Sequence, residues 1–191
     1  MDNLEPQSKY DALLEAALRL FTTEGFQAAT SKIAQEAGVA TGTLFHHFES
    51  KEALINELYL SIKKDMAKAL SANLKDQNSV RTNLEQLWLN TIHWILGHRS
   101  EYQFLTQHNH TKEISKLTRQ QALAETAFMS ALAERGKREK VLKDLPTELL
   151  GTLHSALIQA EAHYFLDHPS RFKNVQQRNQ AFQAHWDAIR R

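Results

Sequence analysis

The segment richest in side chains that could do chemistry runs from Ser31 to Phe48 and reads SKIAQEAGVATGTLFHHF. Hydroxyls, a lysine and two histidines alternate there with small and apolar residues, and such groups hydrogen-bond phosphates and base edges rather than transform a substrate. Gly38 suits a turn because glycine takes a positive φ without strain, and Ala34 is small enough for two helices to cross beside it. Ile33, Ala37, Val39 and Leu44 form the small apolar set beneath them. The spacing from Ala34 through Gly38 to Leu44 therefore predicts a helix-turn-helix. In such a unit the second helix enters the major groove, with its N-terminal residues on base edges and the helix ends on phosphates.

Other candidate sites carry less. His46 and His47 are adjacent, so on a helix they diverge by about 100° and do not readily share a metal ion. His108 and His110 flank Asn109, but with no cysteine in the chain a zinc site would need more ligands from elsewhere, and a solvated loop is the better reading. His93, His154 and His163 fall on or near apolar helix faces, where a hydrogen-bonded core histidine is commoner than a ligand. The same faces can also wall a ligand pocket, for which His93 and His154 supply polar groups and Trp88, Trp94, Tyr102, Phe104, Phe128 and Met129 supply apolar wall. The long helices hold no Glu-x-x-His pair, and the chain shows no phosphate-binding glycine loop and no Ser-centred elbow. No enzymatic site, metal or cofactor is expected.

Six glycines and three prolines in 191 residues leave few turns, and good helix formers fill most windows, so the chain is expected to be all-α. A first helix starts at a Ser8 cap and stops at Gly25, with Leu13, Ala16, Ala17, Leu20 and Phe21 on one face. Two short helices follow over 30–37 and 41–48. After a Ser50 cap, Leu54, Leu58, Ile62, Met66 and Leu70 mark a long connecting helix from Lys51 into the seventies. Further helices are expected over 79–97, 100–108, 112–135 with Gly136 as the stop, 146–167 with Pro169 as the stop, and 175–190. Apolar residues run almost all round the first of these, which suggests a helix enclosed by others. This divides the chain into a helix-turn-helix domain, 1–54, and a helical bundle, 55–191.

Residues 12–54 resemble the DNA-binding domain of the TetR family of bacterial transcriptional regulators. The resemblance is carried by Ala16, Ala17, Leu20, Phe21, Gly25, Phe26, Ile33, Ala34, Ala37, Gly38, Val39, Gly42, Thr43, Leu44, His47, Phe48, Lys51, Glu52 and Leu54. It implies that Thr30 meets phosphate and that Ser31 or Lys32 reaches the groove. It also implies that Thr41, Gly42 and Phe45 face bases, that Thr43, His47 and Lys51 hold the backbone, and that His46 is a further contact. The sequence departs from the family pattern at Phe45, where Tyr is usual, and at Ala40, where a capping Ser is common; the stretch from Gly25 to Ile33 is one residue short. The family further implies a homodimer on a near-palindromic operator, repression, and a small-molecule effector bound in the helical bundle. Leu153, Leu157 and Tyr164, with Phe182, Trp186 and Ile189, are candidates for the dimer face or for the monomer's own core.

The charge balance is unusual for such a protein. The formal total is +1, yet residues 1–54 hold four bases against eight acids, whereas nineteen bases face fourteen acids in the remainder. Few phosphates can be neutralised per subunit, so affinity should depend only weakly on salt. The acidic half also keeps open a helical adaptor that has lost DNA binding, and a helical-bundle enzyme is a weaker alternative. Acids among the first thirty residues argue against a signal peptide, and the uncharged stretch from Gln86 to His98 is too short to span a bilayer. A soluble, cytoplasmic protein with no membrane partner is expected.

Overall fold

The computed structural model describes residues 8–109 and 111–191. Eleven α-helices follow one another among these residues: α1 (Lys9–Glu24), α2 (Thr30–Glu36), α3 (Thr41–His47), α4 (Lys51–Ser71), α5 (Val80–Gly97), α6 (Arg99–His108), α7 (Lys116–Glu125), α8 (Ala127–Arg138), α9 (Thr147–Asp167), α10 (Pro169–Lys173) and α11 (Val175–Ile189). A 3-10 turn, Gly25–Gln27, joins α1 to α2. The chain forms two compact units, one of the chain up to Lys64 with Arg99–Ala122, the other of Asp65–His98 with Leu123–Arg191.

In the first unit the Ser8 hydroxyl accepts from the Asp11 amide at 3.1 Å and starts α1, and Gly25 ends it at a φ of 71°. The expected face of Leu13, Ala16, Ala17, Leu20 and Phe21 is buried, and α1 packs on α2 and α6. The two leucines and the phenylalanine each contribute about 1.5–3 kcal/mol on burial, and the small alanines let the neighbouring helices approach. Phe21, Phe26, Phe104 and His108 stack into one ring cluster, with Phe26 and His108 centroids 4.1 Å apart. Asn56 of α4 donates to the Glu113 carbonyl at 2.9 Å and accepts from the Ser115 amide at 2.8 Å, which fixes the start of α7.

In the second unit α5 packs on α8, α9 and α11, and its buried positions include Leu84, Leu87, Trp88, Ile92 and Ile95. Enclosure is less complete than the apolar pattern suggests: His93 is exposed, and Leu89 and Leu96 are half-buried. The single helix expected over 112–135 is two helices broken at Thr126, and the first begins only after the Ser115 hydroxyl has accepted from the Thr118 amide at 3.0 Å. Gly136 does not end α8. A Cβ there would lie 2.5 Å from a Leu142 side-chain carbon, so this glycine lets the chain after the helix fold back against it. Pro169, expected only as a stop, opens the short helix α10, where its missing N–H costs nothing.

Candidate nucleic-acid interface and ligand cavity

The helix-turn-helix forms as its spacing requires. Gly38 turns the chain at a φ of 68°, and Ile33, Ala34 and Leu44 are fully buried between the two seven-residue helices. With its apolar side spent on the core, α3 turns Thr41, Gly42, Phe45, His46 and His47 to solvent, while Thr43 is half-buried. Phe45 is 47 % exposed, so its ring is free to meet a partner. Ala40 caps α3 and Ala29 caps α2 without a side-chain hydrogen bond. The first-turn amides of both helices therefore have no side-chain acceptor of that kind, the condition in which a phosphate oxygen is a good partner.

Ser31 and Lys32 are exposed on α2, with Thr30 half-buried at its start. The cations here are already engaged. Lys32 pairs with Glu24, Arg19 Nε donates to Glu36 Oε1 at 2.6 Å, and Lys51 Nζ donates to the Phe26 carbonyl at 2.6 Å. An exposed ion pair is worth about 0–1 kcal/mol, so Lys32 can exchange its carboxylate for phosphate cheaply. Lys51 has donors left beyond its single tether, which fixes the start of α4 against the turn after α1. His47 is propped edge-on by Tyr10, whose ring stacks on Phe48 at 5.3 Å and whose hydroxyl donates to Glu57 at 2.7 Å.

The second unit contains a cavity of about 290 Å³ between α5, α8, α9 and the end of α11. Of the expected wall, Met129 and His154 line it. Trp88 is fully buried nearby and its indole donates to Glu161, Trp94 is buried, His93 is exposed, and Phe128 is half-buried. Tyr102 and Phe104 belong to the other unit. The actual wall is supplied instead by Leu84, Leu87, Leu142, Leu150 and Ile189, residues with nothing in their type to separate pocket from core.

His185 and Glu161 were the unexpected site residues. His185 Nε2 lies 2.9 Å from His154 Nδ1, and its Nδ1 lies 3.1 Å from Glu161 Oε2. Burial pushes the His154 imidazole down to about 3. A signal existed in the sequence: His185 sits within the stripe Phe182, Trp186 and Ile189, and Glu161 between Ile158 and Phe165, two titratable residues where an apolar stripe wants none.

That stripe also corrects an expectation about the dimer face. Phe182, Trp186 and Ile189 are 4 %, 7 % and 4 % exposed within the single chain, because α11 turns them onto its own bundle. Leu153 and Tyr164 stand exposed on α9 and Leu157 is half-buried. Of the two candidate histidines at the end of α6, His108 is buried in the ring cluster, and His110 lies outside the described residues. Among the described residues no group of three or more His, Asp or Glu side chains is placed to hold a metal ion together, and no helix there is long and apolar enough to cross a membrane.

A turn glycine at positive φ, two short packed helices and an exposed polar face on the second define a helix-turn-helix DNA-binding domain followed by a helical bundle. The sequence matches the family model for bacterial regulatory proteins of the tetR family over residues 13–58, and that for the Tetracyclin repressor-like C-terminal domain over residues 80–190. The chain belongs to the TetR family. The crystal structure of a tetR family transcription regulator from Shewanella sp. PV-4 is similar to it at 34% identity and a TM-score of 0.88, covering 97% of this chain and 100% of that one. The transcriptional repressor KstR2 of Mycolicibacterium smegmatis is 42% identical over 55 residues, 28% of this chain and 27% of that protein. The transcriptional regulator UidR of Escherichia coli K12 is 40% identical over 74 residues, 37% of this chain and 36% of that protein. The chain thus matches only about a third of the length of these curated relatives.

Proposed function

We propose that this protein is a ligand-responsive transcriptional repressor, not an enzyme, that binds a near-palindromic operator as a homodimer in the cytoplasm. The observation that carries the reading is the exposed row on α3, Thr41, Gly42, Phe45 and His46, set over a fully buried Leu44. Residues 1–54 are assigned to DNA and 55–191 to effector binding and dimerisation, in keeping with the two family matches. Thr30, Ser31, Lys32, Thr43, His47 and Lys51 are read as the groups that hold the phosphate backbone or reach the groove beside it.

Two recognition helices must reach successive major grooves, roughly 34–36 Å apart, so the separation of the two α3 helices in the dimer governs affinity. A small molecule that favours one arrangement of the bundle changes that separation, by no more than its differential affinity for the two states allows. Repression is supported by the name of the KstR2 relative. The exposed apolar residues of α9, Leu149, Leu153 and Tyr164, suit self-association.

The test is gel retardation with the protein's own upstream DNA, comparing wild type with Phe45→Ala. Specific retardation by wild type and its loss in the variant are expected; absence of specific binding by wild type overturns the reading. Leu153→Asp with Tyr164→Asp is expected to halve the mass in light scattering without loss of helicity, and an unchanged dimer mass would reject α9 as the interface.

A further inference from the structure

A line of polar side chains in the second unit ends at the cavity. The Trp88 indole N–H donates to Glu161 Oε2 at 2.7 Å, His185 Nδ1 lies 3.2 and 3.1 Å from the two Glu161 oxygens, and His185 Nε2 lies 2.9 Å from His154 Nδ1. A carboxylate only accepts, so His185 donates from Nδ1. In a neutral imidazole that donates from Nδ1, Nε2 carries a lone pair, and the proton of the 2.9 Å bond therefore comes from His154 Nδ1. What His154 has left for the cavity it lines is Nε2, again with a lone pair and with no hydrogen-bond partner among the described residues. The opposite arrangement needs a second proton on His185, which would turn a residue 2 % exposed into a buried imidazolium, a desolvation cost that the neutral arrangement avoids.

The rest of the wall agrees with an acceptor that awaits a neutral donor. Lining residues include no Lys or Arg, and the charged one, Glu148, is an acid. Thr147 is occupied, since its hydroxyl donates to Glu134 and accepts from Lys137 Nζ at 3.0 Å. An anion would find no cation and would face Glu148. The volume is about 290 Å³, roughly twice that of an apolar cavity known to take one benzene, which leaves room for about a dozen non-hydrogen atoms.

We propose that the cavity binds a compact, uncharged, largely apolar molecule that donates one hydroxyl or N–H hydrogen bond to Nε2 of His154. Glu161 and His185 act as positioning residues that fix the His154 tautomer. The proposal rests on reading the cavity as the effector site.

Isothermal titration of the full chain with 4-propylphenol, propylbenzene and 4-propylbenzoate at pH 7.5 tests it. The phenol is expected to bind about tenfold or more tightly than either of the others, and His154→Leu to reduce it to the level of propylbenzene. Equal or tighter binding of the benzoate, survival of the phenol's advantage in His154→Leu, or no binding of any probe would each overturn the proposal. Should the variant fail to fold, nitrogen-15 histidine spectra of the wild type still decide: His154 and His185 should both carry the proton on Nδ1, and a protonated Nε2 on His154 refutes the assignment. Operator retardation with the same preparation separates the two readings. Protein that shifts DNA but ignores the phenol sinks the ligand class alone, and protein that binds the phenol but no operator supports the class while sinking the regulator reading.

Discussion

Phe45 and Phe182 are the same residue in opposite circumstances. On α3, Phe45 stands 47 % exposed among hydroxyls and imidazoles, whereas on α11, Phe182 is 4 % exposed with its ring centroid 5.8 Å from that of Trp88. The contrast extends to the polar groups around each. Around Phe45 they reach solvent and await a partner, while beneath Phe182 they bond to one another, indole to carboxylate to imidazole to imidazole. One region carries its polar groups on a surface, where truncation touches binding; the other carries them inside the fold, where truncation touches stability first.

Truncating the two rings should separate these roles by the largest margin. Phe182→Ala is expected to cost about 3–5 kcal/mol in urea unfolding, because it leaves a cavity in a packed aromatic cluster. Phe45→Ala should stay within about 0.5 kcal/mol of wild type and yet lose specific operator binding. Equal stabilities for the two variants would show that α11 is not part of this chain's own core.

The same contrast explains which parts were legible in the sequence. The helix-turn-helix is local: Gly38 has to turn, Ala34 has to be small and Leu44 has to be buried, all within a span of about a dozen residues, so spacing alone specifies the geometry. The cavity depends on pairs distant along the chain, such as Leu84 with Ile189, and no periodicity within one helix reveals which apolar face meets which. The stripe Phe182, Trp186 and Ile189 fits a core or an interface equally well, and tertiary packing decided for the core. Gly136 misled for a related reason, since its purpose is contact with Leu142 rather than ending a helix. The histidine pair was half visible: His154 stood out on an apolar face, but its partner lies 31 positions away on another helix.

Acid should act on the buried region. With His154 pushed down to about 3 in the fold and an ordinary value of about 6.5 when unfolded, the unfolded chain binds the extra proton between those values. The stability this site contributes is complete above about pH 6.5 and is lost as pH falls toward 3. Between pH 7 and pH 5 the loss is about 2 kcal/mol from this residue, and His108, also lowered chiefly by burial, adds to it in the same direction. Urea midpoints at the two pH values measure it. A His154→Leu variant should show a visibly flatter pH dependence, and an unchanged slope would mean that the imidazole is not held neutral.

On the exposed side the effects are smaller. Thr43→Ala removes a hydroxyl proposed to meet phosphate and should lower operator affinity by about 1 kcal/mol, roughly fivefold, with stability unchanged. Gel retardation at fixed salt reads this, and a loss confined to particular operator sequences would instead place Thr43 against bases.

The smallest effect expected is in the salt dependence, and it follows from the cations of the DNA-binding region. Lys32 and Arg19 are held by Glu24 and Glu36, and Lys51 by a carbonyl. If Lys32 and Lys51 each meet one phosphate per subunit, a dimer neutralises four, and log affinity should fall against log salt with a slope of about −3 to −4. Lys32→Ala should reduce that slope by about 2 per dimer while leaving the preference among operator sequences intact. A wild-type slope steeper than about −6 would bring in charge from α4, where Lys64 and Lys68 are exposed and Lys63 is half-buried over the Tyr59 ring. Phosphate anchoring would then come mainly from α4, with few contacts from α2 and α3 themselves, and the acidic surface around those two helices would act mainly to weaken binding to DNA of unrelated sequence.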